Sequence, residues 1–298
     1  MTVEAASLKA VPVRRTGVKR AERSLRASIG LHAALVVASL IAVFPVFWVL
    51  VTSFKPDARA VETTPKLVNE SSVDNYVRIL SGEKGNFLAW FGNSVLIALM
   101  TTVIAVFLSA TTGYAASRFR FPGKRSLMLS FLVVQMFPFA VLIVPLYNIL
   151  LTLGIQGTSI GLVLVYCTTA VPFCTYMLKG YFDTIPTDID EAGRVDGLSP
   201  FGVFWRLVLP LARPGLAVTA FYAFLTAWGE VAFASAFLSA ADESKTLAVG
   251  LQVFVQQNRT EWGHLAAASI LVAIPAIAVF YLVQRFLVTG LSSGAVKG

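Results

Sequence analysis

The chain has 298 residues, 56% of them hydrophobic and only 13% charged, with a mean hydropathy of +0.74. So apolar a composition excludes a water-soluble domain of this size and points to an all-α integral membrane protein. The net charge of +8 is explained by a basic N-terminal tail and calls for no nucleic acid.

That tail, residues 1–28, carries Lys9, Arg14, Arg15, Lys19, Arg20, Arg23 and Arg26, a composition suited to membrane lipid with anionic headgroups. Ile29 to Ser53 is the first apolar run. It exceeds the core of a secretory signal and no small-residue cleavage site follows, so it reads as a retained span. The polar segment Phe54 to Asn86 leads to a second span, Phe87 to Ser117, and then to the basic loop Arg118 to Arg125. From Ser126 to Leu178 there is no Asp, Glu, Lys or Arg. Since about 20 apolar residues cross the hydrocarbon core, this run holds two spans, Ser126 to Leu153 and Ser159 to Gly180, divided at Gly154-Ile155-Gln156-Gly157-Thr158. A polar interruption, 185–214, precedes the fifth span, Gly215 to Ser239. The loop 240–264, the sixth span Leu265 to Gln284 and a tail 290–298 follow, so the membrane domain is 29–289. With both termini, the loop Arg118 to Arg125 and the interruption on one side, that side holds 17 of the 24 Lys and Arg. The positive-inside rule makes it cytoplasmic. Pro45, Pro138, Pro145, Pro172 and Pro275 each remove a helix hydrogen bond and are expected to kink their spans.

The interruption, IPTDIDEAGRVDGLSPFGVFWRLVLPLARP, has the design of a docking element. Thr187 with Asp190 three residues on is a capping-box pattern for a short helix running to about Val195. Asp196-Gly197 turns the chain. Ser199-Pro200 starts a second helix, in which Phe201, Phe204, Trp205 and Val208 recur at i, i+3, i+4 and i+7 as one aromatic face, ended by Pro210 and Pro214. Such a stripe serves equally to pack on its own bundle.

Catalytic chemistry is absent from the sequence pattern. Cys167 and Cys174 lie on one helical face two turns apart, out of disulfide reach, and His32 and His264 are isolated. There is no nucleophile triad, phosphate loop or metal spacing, so the chain is expected not to be an enzyme and to hold no cofactor. Any ATP driving it is hydrolysed by another chain. Glu230 is the one formal charge well inside a span. It reads either as a pore-lining or gating residue or as a hydrogen-bonded packing group. Gln135 and Asn148 in the third span are uncharged polar groups open to the same two readings.

Glu191-Ala192-Gly193, Asp196-Gly197 and Leu209-Pro210 resemble the EAA loop of permease subunits of ABC importers, with Gly193 where a second alanine is usual. Further segments are similar to the MalG-type permeases of maltose/maltodextrin importers. They are Phe44-Pro45, Phe121-Pro122-Gly123-Lys124, Gln135-Met136-Phe137-Pro138, Lys179 to Phe182, Thr246 to Gln252, Trp262-Gly263, Gln284 to Phe286 and Gly290-Leu291 with Gly294 to Gly298. The resemblance implies a type I ABC importer permease fold with six transmembrane helices and a cytoplasmic EAA helix-turn-helix, placed in the inner membrane. It implies a second related permease, two ATPase subunits that bind the ATP and Mg, and an extracytoplasmic sugar-binding protein.

By the same resemblance, Glu191, Ala192, Gly193, Asp196, Gly197, Phe204, Leu209 and Pro210 couple to an ATPase. The tail Gly294, Ala295, Val296, Lys297 and Gly298 reaches between the ATPases, and Gln256, Gln257, Asn258 and Arg259 enter the binding protein. The amides of that loop also match a sugar's hydroxyls in donor and acceptor character. Trehalose or another glucoside stays open as the cargo. An ion-coupled secondary transporter is the competing class, although it calls for several midplane ionisable residues where this chain has one.

Overall fold

The computed structural model describes residues 25–56, 72–238, 241–255 and 260–294. The chain divides into two compact units, Met1–Trp48 and Val49–Gly298. In the first unit, the described residues form most of a long helix, α1 (Leu25–Ser53), whose apolar side chains Leu35, Leu40, Ile41, Phe44 and Phe47 are exposed. Within the helix, Phe44 packs on Trp48 at 6.0 Å.

The described residues of the second unit form helices joined by turns, with isolated bridges at Gly157–Leu238 and Val255–Thr260. A short helix, α2 (Asp74–Leu80), precedes the long α3 (Phe87–Arg118). Then come α4 (Lys124–Met136), α5 (Phe139–Thr152) and α6 (Ser159–Asp183). The polar interruption supplies α7 (Asp188–Val195), α8 (Pro200–Val203) and α9 (Leu209–Leu211), with a π-helical stretch, Phe204–Val208, joining the last two. The remainder is α10 (Arg213–Trp228), α11 (Ala232–Phe237), α12 (Leu247–Gly250) and α13 (Trp262–Gly294).

Among the described residues, four helical segments are long and apolar enough to cross a membrane: Ser28–Ser53, Phe87–Arg118, Ser159–Asp183 and Trp262–Phe286. Two bent pairs bring the number to six if each is one broken span. The first corrects the expectation of a kinked third span, because α4 and α5 meet at 109° across Phe137-Pro138. Phe137 is extended (φ −73°, ψ 133°), as a residue before proline prefers, and Pro138 has no N–H to continue the ladder. The second bent pair is Pro200–Leu211 with Arg213–Trp228, at 81°. The fifth expected span is itself interrupted, since α10 stops at Trp228 and α11 begins after Gly229-Glu230-Val231. The remaining expected kinks, Pro45, Pro145, Pro172 and Pro275, lie inside continuous helices. Helix α13 starts three residues before Leu265 and runs on to Gly294, into the stretch expected to be tail.

The centre of the bundle is α3 against α6, with α10 packed on both. Helix α3 offers a seam of small buried residues, Ser94, Ala98, Thr101, Ala105, Ser109 and Gly113, which lets the backbones approach. A Cβ on Gly113 would stand 3.1 Å from the Lys179 amide and 3.3 Å from the Thr175 carbonyl. The Ser109 hydroxyl donates to the Val171 carbonyl at 3.2 Å. Helix α6 answers with Leu162, Tyr166, Ala170, Cys174 and Leu178, all buried. Cys167 and Cys174 are both free thiols, as their spacing requires. No His, Cys, Asp and Glu cluster suited to a metal occurs among the described residues.

The loop 240–264 is far from an open connection. Trp90 on α3 donates its indole N–H to the Asp242 carbonyl at 2.7 Å, and Asn93 donates to the Glu243 and Lys245 carbonyls. The Ser94 hydroxyl accepts from the Leu247 amide. Gly250 lies flat on the Trp90 ring, where a Cβ would come within 2.2 Å. The Asp242 carboxylate accepts from Lys245 at 2.8 Å, which holds its pKa below the usual value against the opposing effect of partial desolvation.

Candidate functional site

The polar interruption folds into two short helices that pack on the ends of α3 and α6. Helix α7 ends as the small residues at the bend require. The Leu198 amide donates to the Gly193 carbonyl at 2.9 Å and the Gly197 amide to the Arg194 carbonyl at 3.0 Å, with Gly197 at φ +83°. That pair of bonds is a Schellman cap, and its left-handed residue is the glycine expected to turn the chain. Gly193 is buried, and a Cβ there would meet Leu207 Cδ1 at 2.6 Å and Val203 Cγ2 at 3.0 Å. Glycine in place of alanine therefore brings α7 close against the second helix. Ser199 caps that helix as expected, its hydroxyl accepting from the Gly202 amide, with Pro200 in the first turn.

Two local expectations are corrected. Thr187 makes no side-chain cap, and the capping box does not form. Asp190 is instead committed to tertiary contacts: Tyr114 donates its hydroxyl to Oδ1 at 2.6 Å, and Arg118 donates Nε–H to Oδ2 at 3.0 Å. Arg118 also donates Nη2–H to the Ile185 carbonyl at 2.9 Å, and the Arg118 and Asp190 side chains are both 6% exposed. A charge buried so completely persists only when paired and hydrogen-bonded, and this triad supplies both.

The second correction concerns the aromatic face, which splits. Phe204 and Val208 turn inward, Phe204 against Tyr114 at 4.8 Å and near Phe182 at 6.5 Å, so Phe204 anchors the loop to the bundle. Phe201 (65% exposed) and Trp205 (51% exposed) stack on each other outside at 6.2 Å. The covered pair, Phe204 and Val208, bounds the π-helical stretch Phe204–Val208. That stretch leads into Pro210, which has no N–H for the Arg206 carbonyl four residues back.

The exposed residues of the loop include Glu191, Ala192, Val195, Asp196 and Gly197 around the end of α7, and Phe201 and Trp205 on the second helix, where Trp205 borders an apolar groove with Val103, Phe107 and Leu216. Leu209 and Pro210 are half-buried at the loop's exit. Val195, 88% exposed, was missed in the sequence, as were Tyr114 and Arg118. The signal for Val195 was an apolar residue on the polar side of α7.

The membrane-embedded polar residues divide. Glu230 receives the Phe233 amide on Oε1 at 2.9 Å and the Ala234 amide on Oε2 at 3.0 Å, so it caps α11 across the break. Tyr166 adds its hydroxyl to Oε2 at 2.8 Å. Gln135 donates to the Thr169 carbonyl at 2.8 Å. Tyr166 and Thr169 are three apart on α6, hence on one face, so α4 and the break between α10 and α11 are tied to the same turn of that helix. Asn148 is not part of this group and lies exposed on α5. Gln256 to Arg259 and Ala295 to Gly298 lie outside the described residues, and Gly294 is the last residue of α13.

A family model described as "binding-protein-dependent transport system inner membrane component" matches residues 105–293, which include α6, the whole loop and most of α13. The chain belongs to that family. The trehalose transport system permease protein SugB of Mycobacterium tuberculosis is 38% identical over 259 residues, 86% of this chain and 93% of that protein. The maltose/maltodextrin transport system permease protein MalG of Salmonella typhimurium is 42% identical over 216 residues, 71% of this chain and 73% of that protein. Among solved structures, a chain of a bacterial ABC transporter importing the acidic polysaccharide alginate superposes with a TM-score of 0.74. It is 21% identical and covers 88% of this chain and 97% of its own length. The fold is that of a type I ABC importer permease, and the chain is the multi-pass inner-membrane permease subunit of a sugar importer.

Proposed function

We propose that this permease imports maltose/maltodextrin-type oligosaccharides and that its loop 185–214 is the joint through which two separate ATPase subunits drive the bundle between inward-open and outward-open packings. The observation that supports the coupling reading is the buried Tyr114–Asp190–Arg118 triad. It locks α7 to the end of α3, so a force applied to the exposed residues Glu191, Ala192, Asp196 and Gly197 passes into the central helix pair. Leu209 and Pro210 hold the loop's exit at the start of α10, while Gly193 and Phe204 act from inside the loop. A second permease completes the path, and a sugar-binding protein delivers cargo from outside, entered by Gln256 to Arg259. The tail Gly294 to Gly298 reaches the ATPases, and both termini are cytoplasmic. Glu230 and Gln135 stand where the break between α10 and α11 and the end of α4 meet α6, a place at which irregular backbone is tolerated because it borders protein or a watery path.

The 38% identity with a trehalose permease supports a second reading of the cargo. Uptake of labelled maltose and of labelled trehalose in a strain lacking only this subunit separates the two. Restoration of maltose uptake by the wild-type chain, suppressed by unlabelled maltodextrin, is the expected result. Restoration of trehalose uptake alone overturns the maltose assignment.

A further inference from the structure

Outside the bundle's centre, one polar cluster is used by nothing described so far. Glu261, the residue before α13, takes Lys84 Nζ on Oε1 at 2.7 Å, although the two are 177 positions apart in the chain. Its Oε2 lies 3.4 Å from Nδ1 of the buried His264, whose ring stacks on Phe254 at 6.1 Å and 9°. The Glu261 amide donates to the Phe254 carbonyl at 3.0 Å, and Val255 pairs antiparallel with Thr260. Glu261 thereby ties together three parts: the stem Phe254–Val255 and Thr260, the first turn of α13, and the turn between α2 and α3 that carries Lys84. The ion pair borders a polar cavity of about 260 Å³ that Asp74 and Arg78 also line. The Glu261 side chain is 16% exposed and that of Lys84 31%, so the pair is partly shielded from water.

We propose that Lys84 and Glu261 are a positioning pair that fixes the stem Phe254–Val255 and Thr260 for engagement of the binding protein. This inference rests on the reading above that Gln256 to Arg259 meet that protein. A lone surface ion pair has little effect on stability, but a pair that sets the orientation of a stem acts on affinity for the partner.

The test uses the complete importer in lipid nanodiscs, titrated with its binding protein loaded with maltose, or with trehalose if that is the sugar taken up. Lys84→Met and Glu261→Gln should each raise the binding-protein concentration for half-maximal ATPase stimulation about fivefold, the change equivalent to ~1 kcal/mol. The maximal rate should stay unchanged, and the exchange Lys84→Glu with Glu261→Lys should recover most of the loss. Deletion of Gln256 to Arg259 is the reference arm. If the deletion raises that concentration and the single variants do not, the positioning role is overturned and the reading of the loop stands. If the deletion itself has no effect, that reading fails and the inference with it. If the single variants lower the yield of assembled complex or its melting temperature in step with activity, the pair is merely structural and the inference is overturned.

Discussion

Arg118→Met removes the guanidinium that pairs with Asp190 while keeping most of the side chain's length. In the folded loop the Asp190 carboxylate, 6% exposed, then retains only the Tyr114 hydroxyl. Breaking a buried pair by deleting one partner costs about 3–5 kcal/mol. The remaining charge-assisted hydrogen bond is one of about 1.5–3 kcal/mol, so the lower end of that range, ~3 kcal/mol, is the reasonable figure. The Ile185 carbonyl also loses its Nη2–H donor, in the same direction. Three kcal/mol corresponds to roughly a hundredfold shift in the equilibrium between docked and undocked α7. Hydrogen exchange of the amides of Glu191 to Val195 should accelerate by about that factor, with exchange in α3 near Ala98 unchanged. ATP hydrolysis should then run with less sugar transported per turnover. Arg118→Met with Asp190→Leu removes both charges and should restore much of the protection, because no unpaired carboxylate is left. If exchange in α7 and the transport stoichiometry match the parent in Arg118→Met, the triad is not what holds the loop.

Other outcomes follow from the same geometry. Gly197→Ala meets no steric neighbour, so its penalty is the left-handed backbone alone, about 1–2 kcal/mol. It should lower the loop's protection by about tenfold without changing insertion, and equal protection would mean the turn is formed differently. Glu230→Gln keeps acceptor capacity on one side-chain oxygen but loses the second, so α11 should fray and fluorescence quenching at a cysteine replacing Ser235 should rise. A variant with unaltered quenching and uptake would show that the cap is dispensable. Removing residues 292–298 should reduce ATP-driven uptake while the protein still inserts, and unchanged uptake would make the tail a dispensable end.

Much of this was legible because the membrane imposes simple rules. The charge-free run Ser126 to Leu178 forces apolar helices, and Gly197 and Ser199-Pro200 carry conformational signals that act locally. The failures have a common cause in partners distant along the chain. Asp190 looked like a capping residue because its competing partners, Tyr114 and Arg118, lie more than 70 residues earlier and come near only when α3 packs on α6. The inward turn of Phe204 answers to Tyr114 and Phe182, partners on α3 and α6 that spacing within the loop cannot show. Pro138 and Glu230 were seen, but whether a proline kinks or breaks a span, and whether a carboxylate lines a path or caps a helix, depends on which neighbour accepts the freed backbone groups.

The central claim is that an ATPase reads the outer side of the loop and the bundle holds its inner side. Photo-crosslinking from benzoylphenylalanine placed singly at Phe201 and at Phe204, in the assembled importer trapped with a non-hydrolysable ATP analogue, tests it most directly. The expected result is a crosslink to the ATPase subunit from position 201, and from position 204 only products within this chain. Capture of the ATPase from position 204 with none from position 201 would contradict the account.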